Sequence, residues 1–164
     1  MQRHPTHNMT KESLIKFLIE SNKAGYASGQ EKQWIKELDG STTIPFKKGE
    51  WHSQDNFFGG EPYGGRIVVF YKNKPYWIMV YYGWIIEKVA TNPVYEILRN
   101  ALKEMPEDAP FRGPKKYTQN SFTYQNTWTG DINKYFGEEQ ITKDNKPVYK
   151  ATYLGGLVDQ RAGL

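Results

Sequence analysis

Apolar residues change their spacing along this chain, and each change marks an element. Between Thr10 and Asn22, Leu14, Phe17 and Leu18 recur at intervals of three and four, which gives a helix one buried stripe, with Thr10 suited to cap its start. From Gly25 to Gly49 the signal weakens; Gln30 to Leu38 reads as a short helix carrying Trp34, and Thr42 to Phe46 as a short strand. From Trp51 onward, strand-like runs alternate with glycine turns at Gly59-Gly60 and Gly64-Gly65. Ile67 to Tyr71 and Tyr76 to Ile86 predict an antiparallel hairpin turning at Lys72-Asn73-Lys74-Pro75. Its second strand alternates Trp77, Met79 and Tyr81 with Ile78, Val80 and Tyr82, so both faces are apolar. Such a strand belongs at the centre of a sheet, covered by a helix on one side and by something else, such as a partner, on the other. The clearest helix follows, with Asn92 as cap and Pro93 in the first turn. Val94, Ile97, Leu98, Ala101, Leu102 and Met105 trace one face before Pro106 closes it. Strands resume at about Tyr117 to Trp128, Glu139 to Lys143 and Val148 to Leu154.

Residues Trp51 to Ile86 recur in degraded form at Trp128 to Val158. Phe57-Phe58-Gly59-Gly60-Glu61 answers to Tyr135-Phe136-Gly137-Glu138-Glu139, and Asn73-Lys74-Pro75 to Asn145-Lys146-Pro147. On this alignment Pro62 to Ile67 has no counterpart in the second copy. The expectation is a single α+β domain over residues 10–158, an antiparallel β-sheet with two main helices. It is built from two similar helix-plus-hairpin halves, about 10–90 and 91–158, between a flexible tail at 1–9 and a C-terminal tail at 159–164.

Composition narrows the chemistry. The 164 residues are enough to bury a core without staples, and 12 Tyr and 5 Trp among 15% aromatics fill it with large rings that have polar tips. No cysteine is present, which removes thiol nucleophiles, disulfides and cysteine-based metal sites and fits a cytoplasmic chain. The longest apolar run, Tyr76 to Ile86, is too short to span a bilayer. A net charge of +4 would favour polyanions if gathered, but the lysines fall at separate turns. No GxGxxG before a helix, Walker A pattern, GxSxG elbow or HExxH occurs, and neither a cofactor nor a metal site is expected; His4 and His7 belong to the tail.

Four groups remain as catalytic candidates. His52, with Asp55 three residues on and Glu61 beyond the glycines, has the makings of an acid–base site, set against the plainer role of a packed loop histidine. Glu61 and Glu139 occupy equivalent places in the two copies, so a pseudo-twofold would set them across a groove; each can equally cap its own glycine turn. Arg112, in the unrepeated Phe111-Arg112-Gly113-Pro114 loop, can fork onto a ligand carboxylate or phosphate, or clamp the loop to an acid of the domain. Trp51, Tyr63, Arg66, Trp77, Tyr81 and Trp128 complete the candidate ligand-binding set, as ring-lined walls for a flat or apolar molecule.

The helix at Leu14 to Leu18, the Phe-Phe-Gly-Gly-Glu segment, the strand from Pro75 to Gly83, the Met105 to Tyr117 run "MPxxxPFRGPxxY" and the final Tyr153-Leu154-Gly155-Gly156 together resemble the bacterial domain of unknown function DUF5680. The resemblance runs from about residue 10 to residue 158. In that family the domain often follows a helix-turn-helix DNA-binding domain, for which there is no room before Thr10, so the resemblance implies a stand-alone copy of an effector-like module. It carries over no catalytic residues. The family is acidic around the segment matching Gly64-Gly65-Arg66, from which Arg66 departs. Three readings follow: a small-molecule-binding or interaction module of effector type; a small cofactor-free hydrolase or lyase; and single-stranded nucleic-acid binding through basic turns and rings. The two-sided apolar strand adds self-association as a partner expectation.

Overall fold

The computed structural model describes residues 6–26, 33–86 and 88–161. Their elements are, in order, helix α1 (Thr6–Tyr26), strands β1 (Ile35–Lys36), β2 (Thr42–Lys48), β3 (Trp51–Gly59), β4 (Tyr63–Tyr71) and β5 (Lys74–Ile85), helix α2 (Thr91–Lys103), and strands β6 (Lys116–Gln119), β7 (Phe122–Asp131), β8 (Lys134–Lys143) and β9 (Lys146–Leu157). The expected α+β class and single antiparallel sheet are observed. All strands join one nine-stranded sheet in the order β1-β2-β3-β4-β5-β9-β8-β7-β6. Two meanders, β2 to β5 and β6 to β9, thus meet at the central pair β5 and β9, which run antiparallel with Val80 opposite Leu154.

Local differences from the sequence reading have local causes. Helix α1 begins at Thr6, so Thr10 lies inside it and does not cap it. The segment expected as a helix around Trp34 instead contributes β1, whose Ile35 and Lys36 pair with Thr43 and Thr42; the start of that expected helix, residues 30–32, lies outside the described residues, as do residues 1–5 and 162–164. The run expected as one strand from Tyr117 to Trp128 is folded back on itself at Asn120, whose φ of 55° lets a hairpin turn join β6 to β7. Helix α2 starts at Thr91 after Ala90 and has no side-chain cap, so Asn92 does not cap it; Pro93 does sit in the first turn, where its missing N–H costs nothing.

Both helices lie on one face of the sheet. Leu14, Phe17 and Leu18 of α1 pack with Trp51, Val69, Trp77 and Met79, while Val94, Ile97, Leu98, Ala101 and Leu102 of α2 pack with Tyr124, Ile141, Tyr149 and Ala151. Met79 and Tyr81 are buried here, whereas Val80 and Tyr82 point to the bare face and are exposed, so the central strand is covered on one side only. Tyrosines opposite glycines tighten this layer. Tyr63 pairs with Gly83, Tyr135 with Gly155 and Tyr153 with Gly137, and a Cβ on any of these glycines would stand within 3 Å of that tyrosine's ring or hydroxyl. The glycines therefore serve as seats for rings within strands, a close approach that no larger residue permits.

The register also changes how the segments Trp51 to Ile86 and Trp128 to Val158 line up. The Lys72-Asn73 and Asp144-Asn145 turns correspond, each with positive φ at both residues, and β4 and β8 each shift register just before them, at Val69/Phe70 and Ile141/Thr142. Counting back from these turns, Tyr63-Gly64-Gly65 corresponds to Tyr135-Phe136-Gly137, so Pro62 to Ile67 is not an insertion. Glu61 then precedes β4, whereas Glu139 sits inside β8 opposite Ala151, in the position that Ile67 holds opposite Met79. The two glutamates are not equivalent and do not face each other across a groove.

Candidate functional site

The loop between α2 and β6 folds back over the sheet where the two helix-packed clusters meet, anchored by Phe111, which stacks on Tyr135 at 4.3 Å. This turns the next side chain, Arg112, down between β4, β5 and β8. Its Nε donates to Glu139 Oε1 at 2.6 Å, and the side chains are 11% and 0% exposed. The other carboxylate oxygen of Glu139 accepts from the Tyr124 hydroxyl at 2.5 Å, and that hydroxyl accepts from the Gly113 N–H. Asn126 donates to the Gly113 carbonyl and accepts from the Tyr153 hydroxyl at 2.8 Å. Arg112 also reaches the Tyr63 hydroxyl at 3.4 Å, which in turn shares a hydrogen bond with Tyr149.

Charge inside this network is fixed. Burial, the largest single influence, would lower the Arg112 pKa, but Glu139 together with Tyr63, Tyr149 and Tyr124 outweighs it and holds the guanidinium well above its ordinary value. Burial pushes the phenols of Tyr63, Tyr124 and Tyr149 up, so they remain neutral donors. A buried ion pair of this kind, with both carboxylate oxygens hydrogen-bonded, holds a loop on a sheet; its own contribution to stability is small, but loss of one partner is costly.

Above the network, α1, β2 to β5 and the 105–112 loop line a partly open cavity of about 290 Å³. Its walls are mixed, with Leu18, Ile44, Ile67, Met79 and Phe111 as apolar side chains and Ser21, Asn22, Ser53, Asp55 and Arg112 among the polar ones. The two are linked by Tyr81, which donates to Asp55 Oδ1 at 2.5 Å and carries the Arg112 guanidinium over its ring at 5.5 Å. Burial, and then the Asp55 charge, push the Tyr81 phenol far up, so it stays a donor. An apolar cleft holding a few convergent polar groups is the usual form of a small-molecule site. A second, more open depression, of about 790 Å³, is lined by Trp84, Trp128, Gln125, Glu138, Gln140 and Lys150.

The structure thus divides the sequence candidates. Arg112, Tyr63, Tyr81 and Glu139 come together, with Asp55 joined through Tyr81; of the two roles open to Arg112, pairing with an acid of the domain itself is observed. His52 is not with them: it stacks on Phe70 at 4.5 Å on the bare face, because residues three apart on a strand point to opposite sides. Glu61 lies beyond the end of β3, accepting from the Ile85 N–H and the Tyr95 hydroxyl. The acid–base set of His52, Asp55, Glu61 and Glu139 therefore has no common site. Trp51 is core, 5.9 Å from Phe17; Trp77 is buried, with its N–H bound to the Ile132 carbonyl, and forms part of the cavity lining; Trp128 packs against Phe111 under Lys115; Arg66 is exposed on the bare face. Asn126 was missed, since an asparagine in a strand gives no periodic signal, although its buried amide holds the loop through Gly113. Among the described residues no cluster of three or more His, Asp or Glu is placed to hold a metal ion, and no helix is long and apolar enough to cross a membrane.

A family model described as a domain of unknown function, DUF5680, matches residues 55–158. The chain belongs to the DUF5680 family. Asp55, Tyr81, Arg112 and Glu139 fall within the DUF5680 match, while α1 and β2, which complete the cavity, precede it. No curated protein and no solved structure matches the chain.

Proposed function

We propose that this DUF5680 chain is a cytoplasmic small-molecule-binding module of bacterial origin, with its site in the cavity between α1, β2 to β5 and the 105–112 loop. The observation that carries this reading is a cavity of about 290 Å³ in which Asp55 and Arg112, linked behind its wall by Tyr81, stand among apolar side chains such as Ile67, Met79 and Phe111. Its ligand is a compact, largely apolar molecule with one end that hydrogen-bonds to Asp55. Arg112, already engaged by Glu139, positions Tyr81 and closes the site. The effector reading accords with this arrangement, because the loop that frames the cavity is held by one connected set of buried contacts, the Arg112–Glu139 pair, the bonds of Gly113 and the Phe111 stack.

The test is a thermal-shift screen with small amphipathic compounds on the intact chain and two variants. Ile67→Trp fills the cavity, and Asp55→Asn removes the charge while keeping an acceptor for Tyr81. Compounds that raise the wild-type Tm are expected to lose their effect on Ile67→Trp and to be weakened on Asp55→Asn. Equal shifts in all three proteins, or none in any, would reject the reading. If Ile67→Trp does not fold, the Asp55→Asn comparison carries the test.

We also infer that the two meanders descend from one duplicated unit. Supporting this are the mirrored strand order about β5 and β9, the twin Asn-Lys-Pro turns and the matching register shifts before them.

A further inference from the structure

The face of the sheet opposite the helices carries an apolar centre. Phe58, Val80, Tyr82, Phe136 and Leu154 are each 43–53% exposed, and all of them lie on this side of the sheet. Such a patch on a soluble sheet marks a docking surface. Its rows are defined by register. One row runs Arg66, Val80, Leu154, Phe136; the next runs Gly64, Tyr82, Thr152, Glu138; and in a third Trp84 stands beside Lys150. Arg66 and Glu138 are exposed on opposite flanks of the apolar centre, and neither has an ion-pair partner among the described residues.

We infer that this face binds a second copy of the same chain, about a twofold axis lying parallel to β5 and β9 and midway between them. Two sheets packed face to face keep their strands within about 30° of each other, which such an axis allows. The axis lays β5 over the partner's β9 and β4 over the partner's β8 while conserving height along the strands. Val80 then meets the partner's Leu154, Tyr82 meets the partner's Thr152, and Trp84 meets the partner's Lys150. Gly64 leaves room for the partner's Glu138, and Arg66 lies on the partner's Phe136. Large side chains fall on small ones, and cations fall on rings. Glu138 and Lys134 stand one same-face step, about 7 Å along the strand, to either side of Phe136, and the arginine side chain turns toward Glu138 and away from Lys134. The alternative twofold, across the strands, sets β4 over β4, and with its axis on the central Val80 row it brings Arg66 against Arg66, a repulsion the first arrangement avoids. An isologous interface requires this self-complementarity.

Light scattering over a concentration series tests the arrangement, with far-UV circular dichroism confirming the fold of each variant. The wild type is expected at twice the monomer mass and Leu154→Lys at the monomer mass. Arg66→Glu and Glu138→Arg, both at exposed positions, are each expected to weaken the dimer at least tenfold, and the swapped pair Arg66→Glu/Glu138→Arg to restore it. A wild type at monomer mass, whether or not it captures some other protein, overturns the inference. So does a dimer insensitive to the reversals, or one that the swapped pair does not restore.

Discussion

Arg112 and Glu139 show how one pair of side chains sets the position of a loop. With Glu139 at 0% side-chain exposure, removing the arginine leaves a carboxylate with no cation in a dry interior. Arg112→Met is therefore expected to cost about 3–5 kcal/mol in denaturant unfolding, whereas Arg112→Met/Glu139→Gln, in which the amide still accepts from Tyr124, should cost clearly less. A double variant as unstable as the single one would show that the charge is not the cause. Glycine is as constrained in its own way. A Cβ at Gly137 would stand 2.1 Å from the ring of Tyr153, so Gly137→Ala should lose about 1–3 kcal/mol through overpacking. Arg112 could be singled out from the sequence because it stands in an unrepeated, glycine- and proline-flanked loop. Its partner could not: Glu139 was grouped with Glu61 by a run of similar letters, and only strand register shows that the run was matched six residues out of step.

At the scale of elements, period and punctuation were legible where they were strong. The buried stripe of α2 reads directly from Val94 to Leu102, and the Asn-Lys-Pro turns read as hairpins. Lys72 and Asn73 have φ of 50° and 63°, as do Asp144 and Asn145 at 49° and 64°, values suited to the primed turns of tight hairpins. Asn73→Gly should thus be neutral or slightly stabilising, and Asn73→Val destabilising by about 1 kcal/mol or more, in the same unfolding assay. Equal stability of the two variants would mean that the turn does not hold its register. Legibility failed where tertiary pairing decides. Ile35 and Lys36 have no strand period in so short a run and become β1 only because β2 offers them an edge. The break between β6 and β7 rests on a single residue, Asn120, inside what otherwise scans as one strand.

For the molecule as a whole, the sequence conveyed an α+β sheet with rings in its core but not that the rings share one face with both helices. That face buries phenols whose pKa values are raised, at Tyr63, Tyr81, Tyr124 and Tyr149, chiefly by loss of water. In the unfolded chain the same phenols ionise near pH 10. The folded state therefore retains protons that the unfolded state releases. The stability these groups contribute is complete below about pH 10 and is lost as pH rises beyond it. Phenolate absorbance should accordingly rise in two stages, exposed tyrosines first and the buried set only together with loss of near-UV circular dichroism. A single smooth titration with the fold intact would contradict the buried network. The proposed binding function rests on the cavity beside that network, and the structure of the protein as purified from cells, at a resolution that shows small molecules, tests it most directly. The account predicts density for a compact ligand between Ile67, Met79 and Phe111 with a polar end at Asp55; a space closed by its own side chains, with no room for a ligand, would contradict it.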